Sequence, residues 1–385
     1  TVNVSVTLTD AAGNVSSAGT SSSTKDTSIP TAVSQSMTTS NINSLFAKVG
    51  NLITLLFQTS EPVQTPTATI HGHPVSVFVN GVNSWKSTYV MTGVDSEGQI
   101  SGQFSFTDLF GNLSTNYALF PNITFDKTNP TLLTTTVSTS NFGGNFATTS
   151  DTITLDFTSS EQIQNPTVTI AGHTVTASLV GLNSWRATWN MIGTDVEGLI
   201  PYTINFGDQA GNLGTSVNTN SVVKFDKTAP NIANITLTNL TTGNSNFVKN
   251  GDVIIITAVI TDANQSSMNT GNISLETPVF GSNQFIPNSY DNLTGLATWL
   301  ITVGGTTNGL ISLDFELTDM AGNFFALSSG TVTADNTLPT LSNINISSNN
   351  PNGNFAKTGD TIVLSFTSSE PLSGLVISID GQGPN

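Results

Sequence analysis

Apolar and polar residues alternate in short runs along nearly the whole chain, and the runs between positions 132 and 225 are the clearest. Ile153, Leu155 and Phe157 share one face of the stretch 152–157, and Trp185, Ala187, Trp189 and Met191 share one face of 185–191. A period of two sends successive side chains to opposite faces of an extended chain, so these runs predict half-buried strands. Runs at 132–137, 167–170, 175–179, 202–206 and 221–225 bring the set to seven. No window carries a helical period, and the predicted fold class is all-β.

The same pattern recurs at a fixed interval. Residues 27–126 and 127–226 align without a gap: Phe46 with Phe146, Glu61 with Glu161, Gly72-His73 with Gly172-His173, Asn83-Ser84-Trp85 with Asn183-Ser184-Trp185, and Gly111-Asn112 with Gly211-Asn212. An offset held across so many landmarks indicates duplication, and seven short strands per hundred residues with regular turns is the spacing of an immunoglobulin-like sandwich. A third unit, 227–335, keeps the frame, with Trp299 aligned to Trp189 and extra residues around 281–291 as a longer loop or an added edge strand. Residues 1–26 read as the C-terminal part of such a unit and 336–385 as the N-terminal part of another, so both ends read as interrupted units.

The units meet at a repeated phrase, Phe125-Asp126-Lys127-Thr128-Asn129-Pro130 and Phe225-Asp226-Lys227-Thr228-Ala229-Pro230, with weaker copies at Asp26 to Pro30 and Asp335 to Pro339. Proline fixes φ and withholds a donor, which suits the start of an edge strand and marks these phrases as domain junctions.

Composition narrows the chemistry. Only 9% of the 385 residues are charged, yet acids outnumber bases 25 to 9 for a formal charge of −16, a surface unsuited to nucleic acid. The chain contains no cysteine, so disulfides and thiolate metal sites are excluded, and a hard cation remains the available cross-link. No signal peptide is visible, and the most apolar run, 253–260, is far shorter than the roughly 20 residues of a spanning helix.

The sparse acids recur at fixed places. In a sandwich of this order the linker, the loop after the second strand and the loop after the sixth share one pole. They carry Asp26, Glu61 and Asp108, then Asp126, Glu161 and Asp208, then Asp226, Asp262 and Asp319. The loop after the fifth strand faces the next unit and carries Asp95 and Glu97, then Asp195 and Glu197; Asp335 and Glu370 begin a further set. Several carboxylates at one junction repel unless a cation sits among them, and calcium takes six to eight such oxygens. The alternative is that Asp-x-x-Gly-Asn is a turn and nothing more, its aspartate accepting backbone hydrogen bonds.

Thr9-Asp10-Ala11-Ala12-Gly13-Asn14, followed by a linker of the type Asp-Thr-x-x-Pro, resembles the bacterial Ig-like tandem repeats of giant adhesins and prokaryotic surface-layer proteins. The resemblance covers essentially the whole chain. It implies head-to-tail sandwiches and interdomain Ca2+ held by Asp26, Asp108, Asp126, Asp208, Asp226, Asp319 and Asp335. Asp-Lys-Thr and Asp-Asn-Thr stand here where that family usually has Asp-Thr-Thr.

Catalysis finds little support. His71, His73 and His173 are the only histidines, with His73 and His173 expected in a hairpin turn, and there is no Gly-x-Ser-x-Gly elbow. Trp85, Trp185, Trp189 and Trp299 are expected in the core. Asn-x-Ser/Thr sequons stand at Asn3, Asn14, Asn112, Asn122, Asn234, Asn239, Asn264, Asn272, Asn292 and Asn345. Five of the ten lie in 227–335, the unit most suited to glycans if the source is an archaeon or a eukaryote, although a chain so rich in these residues yields about that many by composition.

The expectation is a non-enzymatic, extracellular cell-surface protein: a segment of a surface layer, filament or adhesin stalk stiffened by calcium. Its partners are copies of itself, other array subunits or a neighbouring or host cell surface, with no nucleic acid and no membrane-spanning segment. The alternative is a carbohydrate-binding accessory array of a secreted glycosidase, which needs exposed aromatic platforms.

Overall fold

The computed structural model describes residues 1–262, 268, 272–277, 282–305, 307–379 and 381. Its regular structure is all β, and the chain forms two compact units, residues 1–224 and 225–385.

The first unit opens with a hairpin of Val2–Val6 and Gly19–Ser23, followed by two sandwiches of one topology. In the sandwich spanning 132–225, Leu132–Thr139, Thr152–Ser159, Ser184–Asn190 and His173–Gly181 lie side by side in that order. His173–Gly181 also pairs with Thr167–Ile170, which leads to Gly198–Asn205, Val217–Phe225 and the two-residue strand Phe146–Ala147. The crossing falls between Thr176, opposite Thr167, and Ala177, opposite Ala187, so one strand serves both sheets. In the sandwich spanning 32–125 the counterpart is broken into His73–Val75 and Val77–Gly81, and the sheets separate. Phe46–Ala47 there runs parallel to Thr124–Phe125.

The alternation places the core. Ile153, Leu155 and Phe157 are buried, as are Ile53, Leu55 and Phe57, and Phe157 stands opposite Trp185 as Phe57 stands opposite Trp85. Phe57 stacks on Phe104 at 4.1 Å between ring centroids and Phe104 on Tyr117 at 5.2 Å, closing the space between the sheets. Each such side chain contributes roughly 1.5–3 kcal/mol by leaving water.

The second unit repeats the plan. Asn231–Asn239, Val253–Thr261, Leu296–Thr302 and Ser289–Asp291 form one sheet; Phe247–Val248, Phe324–Ala334, Gly309–Thr318, Ile273–Thr277 and Ser282–Phe285 form the other. Ile254, Ile256, Ala258 and Ile260 point inward, which accounts for the long apolar run. Leu341–Ser348 then pairs with Ile362–Ser368.

Four expectations need adjustment. The seven strands are joined by Phe146–Ala147, two residues too short to show a period. The extra residues near 281–291 supply strands to both sheets, Ser282–Phe285 and Ser289–Asp291, in place of one crossing strand; Gly281 lies outside the described residues. Trp299 faces Ile256 and Ile301 faces Ile254, whereas Trp189 faces Ile153 and Ala187 faces Leu155. With Phe247 matched to Phe146, Trp299 therefore occupies the place of Ala187 and fills the core there, 0% exposed. Trp189 is only half-buried, against the expectation of a core residue.

Leu155→Ala removes a fully buried side chain and should cost the sandwich that contains it about 2–5 kcal/mol, read as a lower urea midpoint in that sandwich's unfolding transition.

Candidate metal centres

The loop after the sixth strand is built by one aspartate. In Asp208 to Asn212, Oδ1 of Asp208 accepts from the Asn212 backbone N–H at 2.9 Å and Oδ2 accepts from Asn212 Nδ2 at 2.7 Å, while Gly211 N–H donates to the Asp208 carbonyl at 3.2 Å. Gly211 sits at φ 87°, a left-handed conformation that glycine adopts without Cβ strain. Asp108 to Asn112, Asp319 to Asn323 and Asp10 to Asn14 repeat these bonds. The turn reading is therefore correct as far as it goes.

Two further contacts bring other acids to that turn. The loop after the second strand bridges to it, Ile163 opposite Asp208, and Gln164 donates from N–H to the Gly207 carbonyl and from Nε2 to the Asp208 carbonyl, both near 2.9 Å. Glu161 is carried in with that loop. The linker arrives through the turn asparagine, whose Nδ2 donates to the Asp126 carbonyl at 3.2 Å. Asn323 holds the Asp226 carbonyl in the same way at 3.0 Å, and Asn112 holds that of Asp26 at 3.5 Å. This asparagine role was missed in the sequence, although the residue recurs in every copy of the motif.

Three carboxylate groups result: Asp26, Glu61 and Asp108; Asp126, Glu161 and Asp208; and Asp226, Asp262 and Asp319. Within each, one oxygen per residue lies within 4.8 Å of the others. Two like charges about 5 Å apart repel by roughly 3 kcal/mol at an effective dielectric near 20. Burial pushes the Asp126 carboxyl up, and the charges of Asp208 and Glu97 add to that. Glu161 is pushed up by burial and then by Asp126, Asp208 and Glu97; Asp319 is pushed up by burial and by Asp226 and Asp262, against the hydrogen bonds from Asn323. Asp108 is the exception. Burial is its largest single influence, yet bonds from Asn112, Phe110 and Gly111 together hold it below the ordinary value.

Not every expected ligand joins a group. Glu97 is coupled electrostatically to Asp126 and Glu161, but its Oε1 accepts from Lys127 N–H at 2.9 Å and Thr128 Oγ1 at 2.7 Å, which fastens the linker to the sandwich it leaves. Lys127 directs Nζ to the carbonyls of Gly93 and Asp95 at 2.9 and 2.7 Å, so this lysine braces the linker. Asp95 is buried and its oxygens accept from His73 Nε2, Tyr89 Oη and the Thr92 N–H and hydroxyl at 2.7–3.1 Å. Asp195 does the same with His173, Trp189 Nε1 and Ile192 N–H. Asp335 and Glu370 form no three-acid group among the described residues, and neither does Glu197.

Two of the three histidines, His73 and His173, belong to these locks. His71, at φ 50°, and Gly72 make the hairpin turn, whereas His73 and His173 begin the following strand and stack on Tyr89 at 4.7 Å and Trp189 at 4.1 Å. Trp85, Trp185 and Trp299 are buried. The sequon at Asn264 lies outside the described residues.

Tandem Ig-like β-sandwiches with acidic clusters at their linkers are what the chain presents. No family model and no curated protein matches its sequence. Among solved structures it is similar to a 1.5-MDa bacterial ice-binding adhesin studied for host cell surface retention, at 16% identity, 78% of this chain and 98% of that one, with a TM-score of 0.44. It is also similar to a tetra-tandem repeat from the extending region of a large adhesion protein, at 18% identity, 87% of each chain and a TM-score of 0.30. Fibronectin(III)-like modules of Clostridium thermocellum CbhA match at 14% identity over 49% of this chain and 95% of that one, TM-score 0.27. At these identities the likeness concerns the fold alone.

The Asp195 lock should reveal itself by pH. Burial opposes its charge, but the bonds from Ile192, Trp189 and His173 outweigh burial and lower the carboxyl below 3.8. Its contribution to stability is complete above pH 3.8 and is lost as pH falls through the folded value. Asp195→Asn should cost about 1–3 kcal/mol at neutral pH by leaving buried donors poorly paired. Acid titration of denaturation midpoints would show the difference from the parent shrinking toward low pH.

Proposed function

We propose that this chain is a segment of a non-catalytic, extracellular protein of the prokaryotic cell surface, built of tandem Ig-like domains with boundaries at 26/27, 126/127, 226/227 and 335/336, whose linkers are stiffened by Ca2+. A surface layer, a surface filament and an adhesin stalk all suit that role. The supporting observation is the recurrence of a three-carboxylate group where the linker meets each of the three sandwiches.

The donor set fits calcium. Each group offers hard oxygen ligands and no thiolate, and in the second and third groups burial and neighbouring carboxylates push Asp126, Glu161 and Asp319 toward protonation without a cation. Asp26, Glu61 and Asp108 would hold one ion, Asp126, Glu161 and Asp208 a second, and Asp226, Asp262 and Asp319 a third. Glu97 adds negative charge beside the second group from the preceding sandwich, and Asp335 with Glu370 supplies part of a fourth site. A bound ion neutralises the repulsion and supplies a cross-link between linker and sandwich, limiting the bending of the linker. The residues of the chain do the rest: the turn asparagines hold the linker carbonyls, and Lys127 and Glu97 hold the linker to the sandwich before it.

Calcium added to chelator-treated protein should raise the melting temperature and stiffen the linkers, read by calorimetry and small-angle scattering. Profiles unchanged by EGTA would sink the calcium reading. Glu161→Gln should weaken one of three binding events by about tenfold or more in calorimetric titration while the other two persist.

The pH dependence has a definite sign. A carboxyl raised by folding holds its proton more tightly folded than unfolded. In metal-free protein Asp126, Glu161 and Asp319 thus favour folding below the ordinary values of 3.8 and 4.5, and that contribution is lost as pH rises through the folded values. Calcium competes with those protons. Its stabilising effect should be larger at neutral pH than within the raised carboxyl range, and its binding at the lower pH should release protons, measurable by titration in buffers of different ionisation enthalpy.

A further inference from the structure

A second set of contacts joins the two sandwiches of the first unit, and it involves no carboxylate. Asn43 Nδ2 donates to the Gln209 carbonyl at 3.1 Å, Asn41 Nδ2 to the Ala210 carbonyl at 2.8 Å and Lys48 Nζ to the Gly211 carbonyl at 2.5 Å. Three donors from one sandwich thus meet three successive carbonyls of the next sandwich's Asp-x-x-Gly-Asn turn. The turn makes this possible because its Asn212 N–H and Gly211 N–H are drawn inward by Asp208, leaving the chain's carbonyls on the outside. A cleft of about 560 Å³ lined by Asn41, Asn43, Lys48 and Gln209 surrounds the contact.

The donor side is held by its own local bonds. Asn41 N–H donates to Thr39 Oγ1, Asn43 N–H to Asn41 Oδ1, Phe46 N–H to the Asn43 carbonyl, and Lys48 N–H to Asn51 Oδ1. Residues 348–360 reproduce the arrangement bond for bond. Asn350 N–H donates to Ser348 Oγ, Asn352 N–H to Asn350 Oδ1, Phe355 N–H to the Asn352 carbonyl, and Lys357 N–H to Asp360 Oδ2. Asn350 Nδ2 reaches Asp360 Oδ2 as Asn41 Nδ2 reaches Asn51 Oδ1. Asn352 and Lys357 are exposed. At the other end of the chain, Asp10 to Asn14 forms the same turn with Ala11, Ala12 and Gly13 exposed.

We propose that Asn350, Asn352 and Lys357 form a docking surface whose partner is the Asp-x-x-Gly-Asn turn of another Ig-like repeat, a role that the turn Asp10 to Asn14 of a second copy of this chain fulfils. By the pattern at the first contact, Asn352 pairs with the Ala11 carbonyl, Asn350 with Ala12 and Lys357 with Gly13. The surface is a cation-independent clasp, read by carbonyl geometry and one ammonium charge, and it rests on the reading of this chain as a run of tandem repeats.

The chain has no cysteine, so introduced thiols are the only ones present. A Gly353→Cys chain mixed with an Ala11→Cys chain at millimolar concentration in EGTA, and treated with a short bismaleimide, should give cross-linked heterodimer. The yield should exceed that with a Ser36→Cys partner, and Lys357→Ala should lower it about tenfold by removing a charge-assisted hydrogen bond. Ser44→Cys with Gln209→Cys in one chain should cross-link internally under the same conditions. Heterodimer no more abundant than the Ser36→Cys control, insensitivity to Lys357→Ala, or failure of the internal pair would each overturn the clasp. Because EGTA is present throughout, a failure of the calcium reading leaves these results untouched.

Discussion

Acids in a charge-poor chain must be satisfied wherever they are buried, and the linkers of this protein are organised by that requirement. Asp108, Asp208 and Asp319 each lie buried at a turn, with both carboxylate oxygens accepting hydrogen bonds from the asparagine four residues on. Those bonds supply partners but no positive charge. A second and third acid arrive at the same place, from the loop after the second strand and from the linker. Burial and mutual repulsion then raise Asp126, Glu161 and Asp319 above their ordinary values.

The same residue type meets the opposite fate a short distance away. Asp95 and Asp195 are as buried as the turn aspartates, but each is enclosed by a histidine, an aromatic donor and a backbone N–H, and the carboxyl is held down. Tyr89 in one sandwich and Trp189 in the next perform the same task with different donor groups. What decides whether a buried carboxyl is held down or pushed up is therefore the company of the carboxylate: donors stabilise its charge, and further carboxylates do not.

The linker between the two sandwiches of the first unit is held by contacts of three kinds. Glu97 and Lys127 fasten it to the sandwich it leaves, Asn212 fastens its backbone to the sandwich it joins, and Asn41, Asn43 and Lys48 span directly to the turn. The lysine after the linker aspartate braces the carbonyls of Gly93 and Asp95. The carboxylate group and the Lys48 contact thus meet at one turn, the first through its aspartate side chain and the second through its carbonyls.

The longer strands, the repeat and the acids at each linker were legible in the sequence because they depend on local period and on spacing, both properties of neighbouring residues. Ile153, Leu155 and Phe157 announce their shared face, and Glu161 announces itself by matching Glu61. Partners were not legible. That Asp195 faces His173 and Trp189, that Trp299 stands where Ala187 does, and that Asn41, Asn43 and Lys48 meet three carbonyls more than 160 positions away follow from strand register and from the crossing of His173–Gly181 between sheets. A register shift of two residues keeps the same side chains on the buried face while moving every contact. The sequence by itself determined the all-β repeat and the places where acids recur. Only the tertiary structure decided which acids meet one another and which meet donors, because that choice is made by residues far apart in the chain.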